Sequence, residues 1–277
     1  MVSAPYPELD ELLRMMGEAG KRLSELEATE GAAGNLSVCL RWRLELAALF
    51  PVVEEVPLPQ PVPELAGAVF LVTGSGRRLR EVIDEPAANI GAVCVDSGGR
   101  TGKLFTSRRR RFERLTSEFN SHLAVHYDQM LSGGTNFHAV IHAQPPHLTY
   151  LSHIPRYREE GYLNAHLLRW QPETVVNLPE GIGFVPFRIP GSPELMQGTV
   201  DSLRRHRIVV WAKHGAMARS DVSVNRAVDR VEYAEVAAKY EYFNLCDGEI
   251  AEGLTAEELR GICQAFDVRQ SVFPEAT

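Results

Sequence analysis

The sequence predicts an α/β domain, and three features carry that expectation. Apolar residues at helical spacing alternate with short Val- and Ile-rich runs along the whole length. Glycine turns separate several of these segments. The composition, 44% hydrophobic and 23% charged over 277 residues, is that of an ordinary globular chain long enough to bury a core. Because the alternation never lapses, one domain over residues 1–277 is expected, with an N-terminal helix and a C-terminal helical extension. The residues leave the sheet's parallel or antiparallel character open.

Leu9, Leu12, Leu13 and Met16 fall on one helical face, and Leu23 and Leu26 continue the stripe toward Ala28, so the chain should open with an amphipathic helix. The turn Gly31-Ala32-Ala33-Gly34-Asn35 then leads into a short strand from Leu36 to Leu40. Pro57 to Pro63 holds too many prolines for a helix or a central strand and reads as an extended surface connection. Ala68 to Val72 is a buried-strand pattern, stopped by Thr73-Gly74-Ser75-Gly76, and Arg77 to Asp84 starts a helix. Further strands are expected at Ile90–Val95, His138–His142 and Ile208–Trp211. Helices are expected at Ser117–Met130, Pro193–His206 and Val222–Cys246.

Several function classes are disfavoured. With 29 basic against 36 acidic residues the net charge is −7, which gives a phosphate-backbone grip on nucleic acid little support. Cys39, Cys94, Cys246 and Cys263 stand far apart without a CxxC pair, so they read as buried, reduced fillers rather than zinc or redox motifs. No uncharged apolar run approaches the ~20 residues that span a bilayer, and no signal-like start is present. A cytoplasmic protein without membrane contact is expected.

The histidines carry the most information. His138 and His142 share a strand face with Gln144, and His214 ends a second strand directly before Gly215. Histidines at two strand ends suggest one metal-binding cleft. Glu118, His122 and His126 repeat every four residues along one helix face and form a rival site, and spacing does not choose between them. Gly34-Asn35 and Thr73-Gly74-Ser75-Gly76 offer backbone N–H groups suited to an anion, as do Thr116-Ser117 at a helix start, although a simple turn or cap is the more common explanation of such residues. The basic run Arg108 to Arg111 reads as a solvated edge.

Taken in order, Ala33-Gly34-Asn35-Leu36-Ser37, Val72-Thr73-Gly74-Ser75-Gly76, the stretch from Pro86 to Gly91, Thr116-Ser117-Glu118 with His122, the strand ending at His142, and Lys213-His214-Gly215 resemble the class II, metal-dependent aldolase and adducin-like family. A block from Glu173 through Asn177, Pro179, Gly181, Gly183 and Pro186 to Pro190-Gly191 is similar to its rhamnulose branch. The resemblance implies a three-layer α/β/α sandwich around a mixed or antiparallel sheet, and a homotetramer with active sites near subunit interfaces. It also implies retro-aldol cleavage of a ketose 1-phosphate such as L-rhamnulose 1-phosphate. Glu118 and Glu173 are the implied catalytic carboxylates, and Gly34, Asn35, Ser75, Gly76, Thr116 and Ser117 the phosphate site. The implied cofactor is zinc, or another divalent cation, on His142, His214 and a third ligand. Where the family places that third histidine this chain has Gln144, a poorer zinc ligand, which leaves Gln144 and His147 as competing candidates. Another sugar-phosphate lyase, epimerase or dehydratase of the family, or a non-catalytic adducin-like protein, is the alternative.

Overall fold

Five strands, β1 (Asn35–Leu40), β3 (Val69–Thr73), β4 (Ile90–Val95), β6 (Phe137–Ala143) and β8 (Ile208–Trp211), are buried along almost their whole length in the computed structural model, which describes residues 1–273. Strands covered on both faces need apolar residues at successive positions, which is why these runs do not alternate. Four more strands, β2 (Val52–Pro57), β5 (Thr101–Thr106), β7 (Gly183–Val185) and β9 (Gly215–Ser220), complete a nine-stranded sheet in the order β2-β5-β4-β3-β1-β6-β9-β8-β7. Every pairing is antiparallel except β7 with β8, so the sheet is mixed.

Among the described residues ten α-helices cover this sheet. On one face lie α1 (Leu9–Glu25), the short α2 (Leu79–Val82) and α3 (Pro86–Asn89), then α5 (Pro146–Leu151), α6 (Glu160–Leu167), α7 (Pro172–Asn177), α9 (Val224–Cys246) and α10 (Ala256–Ala265). The opposite face carries α4 (Phe119–Gly133) and α8 (Pro193–Leu203). Leu12, Met16 and Leu23 of α1 meet Leu36, Val38 and Ile141 in the larger core, while Leu123 and Met130 of α4 meet Phe70 and Val93 across the sheet. The chain is therefore a single three-layer α/β/α domain, as expected.

Of the helix expected from Arg77 to Asp84 only the short α2 (Leu79–Val82) forms, and Pro86 opens a separate helix, α3. The proline run is extended only in part. Pro57 closes β2, an edge strand where a missing N–H is tolerated, and Pro63 opens a short 3-10 turn. Cys39 and Cys263 are buried as expected, whereas Cys94 is half-buried and Cys246 exposed on the last turn of α9. The arginine run is the solvated edge foreseen, with Arg109 and Arg111 paired to Glu85 and Arg110 to Glu54.

Candidate active site and metal centre

Strand register builds the site. β1 and β6 pair with Asn35 opposite His142, Ser37 opposite Val140 and Cys39 opposite His138. Opposite residues share a face, so Asn35, Ser37, His138 and His142 all point at the helix α4. That helix presents Glu118, His122 and His126 at four-residue intervals. Glu118 is its N-cap residue, yet its carboxylate makes no capping hydrogen bond and turns toward the sheet instead.

His214 arrives from the turn between β8 and β9 rather than from a strand end, since β8 stops at Trp211. Lys213 takes up a left-handed conformation (φ 63°), with its N–H donating to Ser152 Oγ at 2.7 Å. Gly215 makes the close approach: a Cβ there would lie 2.4 Å from the Ala143 carbonyl oxygen and 3.1 Å from His142 Cε1. The rings of His142 and His214 are 4.9 Å apart, and Trp211 stacks on His142 at 4.7 Å.

Glu118 joins them. Its Oε2 lies 3.6 Å from His142 Nε2 and its Oε1 3.6 Å from His214 Nε2, and one ligand atom from each residue falls within 4.8 Å of the others. The donors suit a cation. His142 Nδ1–H donates to the Ala216 carbonyl at 3.0 Å, which leaves Nε2 with a lone pair facing the cluster. Among the described residues His214 Nδ1 is buried without a partner. Burial and the neighbouring His142, opposed by Glu118, bring His214 down to about 4, so it is neutral and free to ligate. Burial pushes the Glu118 carboxyl up, but His142, the Asn35 amide and His214 together hold it below its usual range as a carboxylate. Two imidazoles and a carboxylate are a donor set for catalytic zinc and related divalent ions.

Of the phosphate-site candidates, Gly34, Asn35, Thr116 and Ser117 gather beside Glu118. Gly34 turns the chain into β1 with φ 82°, and Asn35 Nδ2 donates to Glu118 Oε2 at 2.8 Å. Thr73 Oγ1 accepts from Leu36 N–H at 3.1 Å, the Thr116 N–H donates to the Thr73 carbonyl at 3.1 Å, and the antiparallel bridge between Gly74 and Leu115 carries the turn of Ser75 and Gly76 alongside Arg114.

Other candidates stand elsewhere. His147 is held by Glu235 of α9, its Nδ1 2.6 Å from that carboxylate, and is not part of the cluster. Gln144 directs its NH2 at Glu30, 2.6 Å away. Glu173 is exposed on the first turn of α7, in the helical layer opposite α4. The rival site on α4 does not form: Glu118 joins the strand histidines, while His122 and His126 spend their ring nitrogens on Asn35, Ser37 and His138. Sequence reasoning missed Ser37 and Trp211. Ser37 had a signal, since it lies two residues beyond Asn35 and so on the same strand face.

The family model for the class II aldolase and adducin N-terminal domain matches residues 14–242. Rhamnulose-1-phosphate aldolase of Listeria monocytogenes (serotype 4a) is 27% identical over 263 residues, covering 92% of this chain and 93% of that protein. The Escherichia fergusonii enzyme of the same name is 29% identical over 213 residues, 77% of each chain. A sugar-phosphate aldolase from Thermotoga maritima superposes with a TM-score of 0.73 at 28% identity, over 87% of this chain and 97% of that one. With Glu118, His142 and His214 placed where they could hold a metal ion, the chain belongs to the class II aldolase and adducin family, and within it is an aldolase.

Proposed function

We propose that this aldolase cleaves a ketose 1-phosphate between C3 and C4, with L-rhamnulose 1-phosphate as substrate and dihydroxyacetone phosphate and L-lactaldehyde as products. The observation that carries this reading is the convergence of Glu118, His142 and His214 next to Asn35 and Thr116. The relatives named rhamnulose-1-phosphate aldolase, matched over most of their length, support the choice of sugar.

Glu118, His142 and His214 would hold the divalent cation, zinc in this reading, which supplies Lewis-acid stabilisation of the charge that builds on the enediolate. Gln144 and His147 are not assigned to it, since Glu30 and Glu235 hold them. Glu118 moves the proton: it takes one from C3 of dihydroxyacetone phosphate in the synthetic direction and returns it to C3 in cleavage. Asn35, Ser75, Thr116, Ser117 and the Gly34 and Gly76 backbone fix the phosphate, so that remote binding energy orients the reacting carbons. Glu173 handles the C4 hydroxyl proton. Because it lies across the sheet from Glu118, it serves the site of a neighbouring copy in a homotetramer.

Incubation of purified protein with L-rhamnulose 1-phosphate should release lactaldehyde. Chelation should abolish the activity, and zinc, cobalt or manganese should restore it. Cleavage of a different sugar phosphate in its place would reassign the substrate, and full activity in metal-free protein would refute the mechanism.

A further inference from the structure

Behind Glu118 runs a row of buried polar side chains that the proposed reaction does not use. Ser37 is 1% exposed, and His122, His126 and His138 are 0% exposed. Burying so many polar groups is unfavourable unless they satisfy one another, and here they form one continuous chain. The Asn35 carboxamide oxygen meets His122 Nε2 at 2.5 Å, and His122 Nδ1 meets Ser37 Oγ at 2.6 Å. Ser37 Oγ then meets His126 Nε2 at 2.7 Å, and His126 Nδ1 meets His138 Nδ1 at 2.8 Å.

The direction of every bond follows from one end. Asn35 Nδ2 donates to Glu118, so Asn35 Oδ1 is the acceptor and His122 must carry its proton on Nε2. The bare His122 Nδ1 accepts from the Ser37 hydroxyl. That hydroxyl, its hydrogen committed, accepts from His126 Nε2–H, and the bare His126 Nδ1 accepts from His138 Nδ1–H. His138 Nε2 is left bare at the far end, and it is buried without a partner among the described residues. Burial keeps all three rings neutral, with His122 and His138 brought down to about 3, and the charges of Arg219 and Arg230 further oppose a proton on His138.

We propose that His122, its proton fixed on Nε2 by Ser37, His126 and His138, is a positioning residue that locks the Asn35 carboxamide with its NH2 toward Glu118 and the phosphate. The two ends of a carboxamide are nearly equal in shape, so packing alone holds one orientation weakly. Turned by half a rotation, Asn35 would present an oxygen to the Glu118 carboxylate and to the phosphate, replacing two charge-assisted hydrogen bonds with repulsion. The inference rests on the roles given above to Glu118 and Asn35.

Two-bond 1H–15N spectra of protein labelled at histidine read the tautomers directly. Expected are Nε2–H on His122 and His126 and Nδ1–H on His138, with none of the three charged at neutral pH; Nδ1–H or a charged ring at His122 would overturn the proposal. His122→Met and Ser37→Ala should each lower kcat/KM about tenfold or more. His122→Gln, whose amide nitrogen still reaches the Asn35 oxygen, should recover most of it. In an Asn35→Ala background His122→Met should add less than about twofold, because the group it positions is gone; losses that multiply would make His122 a fold-supporting residue and sink the idea. The same cycle read as affinity for inorganic phosphate decides the point even if no ketose phosphate is turned over, which would be a failure of the proposed reaction alone.

Discussion

The proposed reaction would make two demands of Glu118 at once: to stay ionised among buried groups, and to be able to take a proton. His142, His214 and the Asn35 amide supply the first, and its reach beside the cation site supplies the second. Glu118→Gln keeps the shape and removes the base, so kcat should fall by about two orders of magnitude or more while the affinity for inorganic phosphate is largely kept; unchanged turnover would remove Glu118 from the mechanism. The buried rings behind it make stability depend on pH. His122 and His138 are neutral when folded, with values near 3 against 6.5 when free, so the unfolded chain takes up protons first as the pH falls. The stability they allow is complete above 6.5 and drains away from there toward 3, by up to about 1.4 kcal/mol per pH unit for each ring. Urea midpoints should therefore drop steadily between neutral pH and mild acid, and a flat profile would contradict the burial of these rings as neutral species. The sequence made Glu118, His142 and His214 candidates, but a four-residue spacing equally offered His122 and His126. Only the partners of each ring nitrogen separate a ligand from a link in a chain.

Between β8 and β9 the turn shows how far local pattern reaches. Apolar runs marked β1, β3, β4, β6 and β8, because strands buried on both faces write their burial into consecutive residues. β2 and β5 carry Glu, Lys and Thr on half-exposed faces, and β9, Gly-Ala-Met-Ala-Arg-Ser, holds no β-branched residue, so none of the three announced itself. Alternating elements likewise leave strand order open, and the three-layer sandwich was legible only through the family resemblance. His214 was read as a strand end for the same reason, since nothing before β9 marked a turn. Gly215→Ala tests that turn. Its Cβ would fall 2.4 Å from the Ala143 carbonyl oxygen, and overpacking of this kind costs about 1–3 kcal/mol when the backbone has to shift. The shift carries His214 away from His142, so the variant should lose bound zinc to dialysis against a chelator well before the parent does, with only a modest fall in Tm. Metal retention equal to the parent's would show that the turn does not place His214.

The whole molecule separates its two candidate carboxylates, with Glu118 at the head of α4 on one side of the sheet and Glu173 on α7 on the other. Under the proposed reaction a single copy would therefore offer the cation and phosphate half of a site in one place and the aldehyde-side carboxylate in another. The surface near the first half is apolar for a free protein: Phe187 and Ile189 are 50% and 66% exposed in the loop whose Gly191 carbonyl accepts from Asn120, two residues beyond Glu118. Association of copies would cover such side chains and bring a second chain's helices to the site. In solution the mass should be about four times the 30.8 kDa of the chain. Glu118→Gln and Glu173→Gln should each be nearly inactive alone, yet when the two variants are dissociated, mixed and reassembled, some sites would combine an intact Glu118 from one copy with an intact Glu173 from another. Activity should then reappear. Mixed oligomers that assemble fully and remain inactive would show that Glu173 does not act across the interface, because a carboxylate serving its own chain gains nothing from a neighbour that carries the other defect.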